Sequence, residues 1–268
     1  MFFRLPPFGG RRRTIYVKKA ARARQKRTTI MKKQILKRLV LRAIAFTPVL
    51  MLGVIMMGAT VKAYAGGVAL GATRVIYPQG EKQVSLPITN SSANNVFLIQ
   101  SWVANADGTK SPDFVVTPPL FVIQPKKENV LRIMYVGPTL PTDRESVFYL
   151  NSKAIPSVDK RKLQGNVLQI ATQSVIKLFI RPKNLPTSSI DAPASLRCHV
   201  ANGKVTLSNP SPYYLSLVEL YIGKVKQANT MVPPKGSLIL NATGDGRVKY
   251  ETVNDFGANT PAQICAGS

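Results

Sequence analysis

The feature of this sequence that most constrains its fold is a series of short apolar segments in which apolar and polar residues roughly alternate. The segments are rich in Val, Ile, Phe and Tyr, and clusters of Asn, Asp, Gly and Pro separate them. They occupy 83–88, 95–104, 113–117, 130–136, 146–151, 204–209, 213–223, 237–240 and 247–254. A two-residue period over so few residues predicts β-strands, and no long segment shows the 3.6-residue period of a helix. We therefore expect an all-β protein.

A polar, proline-rich break divides these strands into two groups. The break is the stretch RPKNLPTSSIDAP at residues 181–193. Many short strands at this spacing are typical of β-sandwiches of about 100 residues. We predict two β-sandwich domains, 66–183 and 184–268, after an N-terminal segment 1–65.

The charge of the chain is concentrated in that N-terminal segment. The net charge is +25, and residues 1–65 hold 16 of the 37 Lys and Arg residues and none of the Asp or Glu residues. The rest of the chain keeps 21 basic and 12 acidic residues, a net charge of +9. The overall charge therefore does not indicate a nucleic-acid-binding function for the two domains.

The end of the N-terminal segment has the pattern of a secretory signal peptide. A basic stretch at 31–42 precedes 19 uncharged residues at 43–61, and the triplet Ala63, Tyr64, Ala65 follows. This order predicts export and cleavage after Ala65, with 31–65 as the signal. An uncleaved membrane anchor is the alternative, since 19 such residues can span a bilayer. Residues 1–30 are either a basic arm or a segment upstream of a true start at Met31.

Export determines how the two cysteines are interpreted. In an oxidising compartment Cys198 and Cys265 are expected to form a disulfide. The single histidine, His199, leaves no complete zinc pattern and would have to serve any Ser–His–Asp triad alone. We expect no enzymatic activity, no metal and no cofactor.

The stretch NVLQIATQSVIKLFIRP at 166–182 is unusual for a strand. Leu168 and Ile170 share one face, and residues 175–180 are apolar except for Lys177. A strand of this length would span roughly 55 Å, far more than most strands. Part of it is therefore expected to run along an open sheet edge, which another chain can extend by pairing. A lysine kept in a cleft beside that edge would suit an incoming carboxylate.

Several motifs resemble one family. The stretch LPTDRESVFYLN, with Ile155 and Pro156 after it, resembles a signature of the periplasmic pilus-assembly chaperones of the chaperone–usher pathway. Further resemblances occur, in the family's order, at 73–82, 117–133, 166–182 and 208–217.

The resemblance implies two immunoglobulin-like domains arranged as a boomerang, and a periplasmic chaperone without enzymatic activity. Its partners would be pilus subunits that lack their last strand, to which it lends an edge strand, and an outer-membrane usher. It implies neither nucleic-acid binding nor membrane insertion after signal cleavage. A membrane-anchored or secreted β-sandwich binding protein is the alternative.

The resemblance also implies roles for individual residues. Arg74 and Lys177 match the anchor for the subunit's terminal carboxylate, and at Thr172 the family usually has a larger apolar residue. The implied donor strand presents Leu168, Ile170 and Thr172. The implied ion network between the domains consists of Glu145, Arg181 and Asp255.

Overall fold

The computed structural model of the protein describes residues 66–157, 169–241 and 246–267. The predicted signal peptide and the predicted donor residue Leu168 lie outside these ranges. Within them the chain consists of 17 strands and a short 3₁₀ helix, Ala192–Ser195, so the predicted all-β fold is confirmed. No helix in the described ranges is long and apolar enough to cross a membrane.

The first domain is a sandwich of two sheets. One sheet has the strand order β1-β3-β7-β5, and the other has the order β2-β9-β8-β4-β6. Alternate residues of both sheets, among them Ile88, Leu131 and Leu178, are fully buried between them. The strands are β1 (Val68–Leu70), β2 (Arg74–Pro78), β3 (Val84–Asn90), β4 (Phe97–Ala104), β5 (Phe114–Thr117), β6 (Leu120–Ile123), β7 (Glu128–Tyr135), β8 (Ser146–Pro156) and β9 (Thr172–Arg181).

The second domain has its own two sheets and its own core. One has the order β10-β11-β15, and the other has the order β13-β12-β16-β17, with β14 also pairing with β12. Leu207, Leu217 and Tyr250 are buried between them. The strands are β10 (Arg197–Ala201), β11 (Lys204–Asn209), β12 (Leu215–Ile222), β13 (Val225–Lys226), β14 (Thr230–Val232), β15 (Gly236–Asn241), β16 (Val248–Thr252) and β17 (Gln263–Ile264).

The second half of strand β9 is mostly apolar on both faces because each face meets a different domain. Successive side chains of a strand point to opposite sides of its sheet. Leu178 and Ile180 therefore enter the core of the first domain. Phe179, on the other face, packs against Tyr214 of the second domain with ring centroids 5.8 Å apart. Lys177 shares the face of Phe179, so it lies at the junction between the domains.

Two predicted strand boundaries were wrong by more than two residues. Strand β9 begins at Thr172, not at residue 166, because its pairing with β8 ends at Ala154 opposite Thr172. Pro156, two residues further along β8, has no amide to donate, and its carbonyl accepts a hydrogen bond from the Gln169 side chain. Strand β8 continues to Pro156 instead of ending at 151, since buried Ser152 bonds Ser101 on β4 and keeps the polar segment within the sheet.

Candidate functional site

Arg74 and Lys177 are brought side by side by strand pairing. Strands β2 and β9 run parallel, and Arg74 lies directly opposite Lys177 in the register. Both side chains form hydrogen bonds to the second domain. Arg74 Nη1 donates a hydrogen bond to the carbonyl oxygen of Val253 (2.7 Å), and Lys177 Nζ donates one to Ser216 Oγ (2.8 Å). The two cations therefore lie on the first domain and face the second.

The surroundings of this pair favour a negatively charged ligand. Burial lowers the pKa of Lys177, and the charge of Arg74 lowers it further. Burial also lowers the pKa of Arg74, against the opposing effect of Asp255 and Glu145. Among the described residues, neither cation forms an ion pair with a carboxylate, and the buried Arg74 Nε has no hydrogen-bond partner. A carboxylate placed here would relieve the repulsion between the cations.

The three residues of the predicted ion network are in direct contact. Arg181 Nε donates to Glu145 Oε1, and its two terminal nitrogens donate to the two oxygens of Asp255, each over 2.7 Å. Ser189 Oγ also donates to Asp255 Oδ2, and the amide of Tyr214 donates to Glu145 Oε2, the remaining carboxylate oxygen. Glu145 and Arg181 belong to the first domain and Asp255 to the second, so the network spans the junction.

Burial and pairing act against each other within this network. Burial raises the pKa of Glu145, and Arg181 offsets only part of that effect. Burial would also raise the pKa of Asp255, but hydrogen bonds from Arg181 and Ser189 outweigh it and lower the pKa. For Arg181, burial is outweighed by the two carboxylates, which raise its pKa. A network in which burial and ion pairing oppose each other sets the geometry of a junction more reliably than it adds stability.

Strand β9 leaves one edge unpaired immediately before the cations. It pairs with β8 from Thr172 to Ile180, but with β2 only from Lys177 to Arg181. Residues 172–176 therefore have no strand on their second side within the described chain. Ile170, just before the strand, is 63% exposed, and Thr172 is also exposed. The predicted donor positions 170 and 172 thus lie at the start of an open edge that leads to Lys177.

The comparisons with known proteins follow the same two-domain division. Residues 67–186 match the family described as pili and flagellar-assembly chaperone, PapD N-terminal domain. Residues 191–264 match the C-terminal domain of the pili assembly chaperone PapD. This chain belongs to the PapD family of pilus-assembly chaperones.

Individual relatives cover almost the same part of the chain. The chaperone protein FimC of Escherichia coli O6:H1 is 51% identical over 198 residues, which are 73% of this chain and 82% of FimC. The crystal structure of the periplasmic chaperone SfaE is 46% identical with a TM-score of 0.66, covering 74% of this chain and 99% of SfaE. A chain from the Salmonella enterica SafA pilin–SafB chaperone complex is 30% identical with a TM-score of 0.68. The match covers 74% of this chain and 95% of that chain.

The disulfide predicted for this PapD-family chaperone is present. Cys198 on β10 and Cys265 after β17 are bonded, with their Cα atoms 5.8 Å apart. The bond joins the last part of the chain to the first strand of the second domain. It closes a loop of 67 residues, for which a loss of unfolded-state entropy predicts stabilisation of about 4 kcal/mol.

Sequence reasoning missed the second-domain side of the chaperone's site. Ser216 binds Lys177, and the carbonyl of Val253 binds Arg74. Ser216 is buried between two leucines in strand β12, so a polar residue among apolar neighbours was a usable signal. Val253 had no such signal, because the bond uses its backbone and the partner is 179 residues away.

A cavity of about 500 Å³ lies next to Arg74. Its lining includes Arg74, Ser216 and Asp255, together with the exposed apolar side chains of Ile190 and Phe256. The described residues contain no cluster of His, Cys, Asp and Glu that could hold a metal ion. The cavity lining combines apolar surface with two arginines, Arg74 and Arg181, and two carboxylates, Glu145 and Asp255.

Proposed function

We propose that this chaperone captures a pilus subunit by adding the open edge of β9 to it and by anchoring its terminal carboxylate at Arg74 and Lys177. The observation that carries the proposal is the continuity of these two features: the unpaired edge at 172–176 ends at the cation pair. Chaperone–pilin pairing is itself a known case of β-strand addition. The SafB relative was solved in complex with the SafA pilin.

The position of the anchor determines the direction of the subunit strand. If the last carboxylate binds at Lys177, the preceding residues must run back along 176 to 172. The subunit strand is then parallel to β9, in the direction that β2 already has beside it. Each hydrogen bond of the ladder contributes about 0.5–1.5 kcal/mol, and one to a charged group contributes about 1.5–3 kcal/mol. The hydrogen-bond ladder contributes affinity for any extended strand. The anchor favours a strand whose terminal carboxylate lies at Lys177.

The donor side chains follow from the same geometry. If the strand extends back to Ile170, Ile170 and Thr172 share the face that bears Leu178, which lies in the first domain's core. Leu168 would continue that row. We infer that these three enter the groove left by the missing strand of the subunit, and that Thr172 fills its part less completely. The chaperone would then pass the subunit to an outer-membrane usher, without catalysing a reaction.

Purification from the periplasm tests this function directly. We expect pilus subunits to co-purify and to be identified by mass spectrometry. Hydrogen exchange should then show protection of the 172–176 amides that point away from β8, because these have no strand partner in the free protein. Residues 177–180, paired on both sides, and β17, an edge in the second domain, should change little. Protection confined to other regions would contradict strand addition.

We also propose that the mature protein begins at Gly66 in the periplasm. The amide of Gly67 donates to Ser91 Oγ, and the Ser91 amide donates to the Gly67 carbonyl, so the chain is attached to the first domain from that point. A Cβ at position 66 would lie 2.7 Å from the Ser92 Cα, so the position suits glycine. N-terminal sequencing of the exported protein should give Gly66. Recovery in the membrane fraction with residues 43–61 attached would contradict cleavage.

A further inference from the structure

A tight turn after β16 carries the second domain's contacts to the anchor. We call residues 253–259 the anchor turn. Asn254 Oδ1 accepts hydrogen bonds from the amides of Phe256 and Ala258, each over 3.0 Å. The Asn254 amide donates to the Ala258 carbonyl, and Val253 forms a β-bridge with Asn259. With so many internal bonds, the anchor turn is expected to move as one unit.

The anchor turn meets the first domain at three points. The Val253 carbonyl accepts the hydrogen bond from Arg74, and Asp255 binds Arg181. The third point is Gly257, which packs against Thr73, the residue immediately before Arg74. A Cβ at position 257 would lie 2.0 Å from Thr73 Oγ1 and 3.3 Å from Thr73 Cβ. Only a residue without a side chain allows this approach.

We propose that Gly257 is a positioning residue for Arg74. Its missing side chain lets the anchor turn lie against Thr73, which keeps the Val253 carbonyl within hydrogen-bond distance of the guanidinium. That bond holds one terminal nitrogen of Arg74 and so fixes the orientation in which the rest of the group meets a ligand. The consequence for subunit binding rests on the anchor role proposed above for Arg74; the positioning itself does not.

Two of the three staggered rotamers of Thr73 keep a heavy atom against an added Cβ at position 257, because rotation about its Cα–Cβ bond exchanges the hydroxyl for the methyl group or the hydrogen. Removal of both groups, as in Thr73→Ala, leaves only the Thr73 Cβ, 3.3 Å from the added atom, which is a tight contact that a small shift can relieve. Part of the strain in a Gly257 variant has another cause, because φ is +86° and residues with side chains rarely adopt that conformation. A test must separate the contact from the backbone strain.

The chain offers a matched set of variants for that separation. Gly257→Ala introduces both the contact and the strain. Gly80→Ala introduces the strain alone, since φ is +88° there and no atom lies within 4 Å of the added Cβ. Gly257→Ala with Thr73→Ala keeps the strain and removes the hydroxyl. Thr73→Phe places a larger side chain against Gly257 from the first domain. It replaces Gly257→Ala in the test if that variant does not fold.

The primary measurement is rotation of the Arg74 guanidinium about its Cζ–Nε bond, followed by NMR in the free chaperone. Loss of the bond to Val253 should speed this rotation about tenfold, the effect expected for one hydrogen bond to a charged group. We expect fast rotation and weaker capture of co-expressed pilus subunits in Gly257→Ala. Both properties should return with Thr73→Ala, and Gly80→Ala should match wild type.

The other outcomes separate this proposal from the proposed function. Unchanged Arg74 rotation in both Gly257→Ala and Thr73→Phe would overturn the positioning role, whatever happens to capture. Fast rotation that Thr73→Ala does not reverse would also overturn it, because backbone strain would then be the cause. Fast, reversible rotation with unchanged capture would support the positioning of Arg74 and instead contradict its role as an anchor.

Discussion

Lys177→Ala is expected to abolish recovery of pilus subunits with the chaperone while leaving the chaperone folded. The change removes one of the two cations proposed to hold the subunit carboxylate, and the bond to Ser216 with it. One charge-assisted hydrogen bond contributes about 1.5–3 kcal/mol, which is about a tenfold to hundredfold change in affinity. The two cations act on one ligand, so their effects should not be additive. Pull-down of co-expressed subunits and thermal melting measure the two properties separately.

Lys183→Ala is the matched control. Lys183 lies two residues after β9, is exposed, and pairs with Glu81 at the surface over 2.8 Å. Exposed ion pairs contribute little to stability. Lys183→Ala therefore removes the same charge as Lys177→Ala, with little expected effect on subunit capture or on the melting temperature. If a double variant, Arg74→Ala with Lys177→Ala, recovered subunits at the wild-type level, the anchor assignment would be wrong.

The same substitution should not reduce the stability of the free chaperone. The pKa of Lys177 is lowered on folding, first by burial and then by Arg74. A lysine whose folded pKa lies below its unfolded value opposes folding while it is protonated, and this penalty fades as the pH rises through the folded pKa. At neutral pH the charge of Lys177 therefore opposes folding, which offsets the hydrogen bond to Ser216. We interpret Lys177 as a residue kept for a ligand's charge.

The all-β fold was predictable because the two-residue period is a local signal. The same period exposed Lys177 as a charge in an apolar strand. Its proximity to Arg74 was not predictable from the period, because the two residues come together only through the parallel pairing of β2 with β9. The pairing of Arg74 with Lys177 was suggested by the resemblance to a family and not by the two-residue period.

The contacts from the second domain show a different limit. The ion pair of Arg181 with Asp255 joins side chains 74 residues apart. Charged residues were visible in the sequence, but nothing local identifies which of them meet. The bond of Arg74 to the Val253 backbone and the close approach of Gly257 to Thr73 leave no compositional trace at all. Such features depend on how two domains meet.

The start of β9 was mispredicted because alternation does not reveal whether a strand has a partner. Residues 169–171 continue the alternating pattern but lie beyond the pairing with β8. An unpaired edge normally carries charges that discourage association, and residues 169–176 carry none. The edge is thus suited to pairing with another chain, and the predicted longer strand is expected to form only when that chain is present.

Ile170→Asp is therefore expected to impair subunit capture far more than chaperone folding. Ile170 is 63% exposed in the free protein, so an aspartate there remains hydrated. In the complex the change loses about 1.5–3 kcal/mol of apolar burial and places a carboxylate in an apolar groove, so capture should fall at least about tenfold. Ala171→Asp adds the same charge to the opposite face of the same exposed segment and should matter less. Pull-down and thermal melting of the three proteins decide the matter: capture by Ile170→Asp equal to wild type would rule out insertion of this side chain.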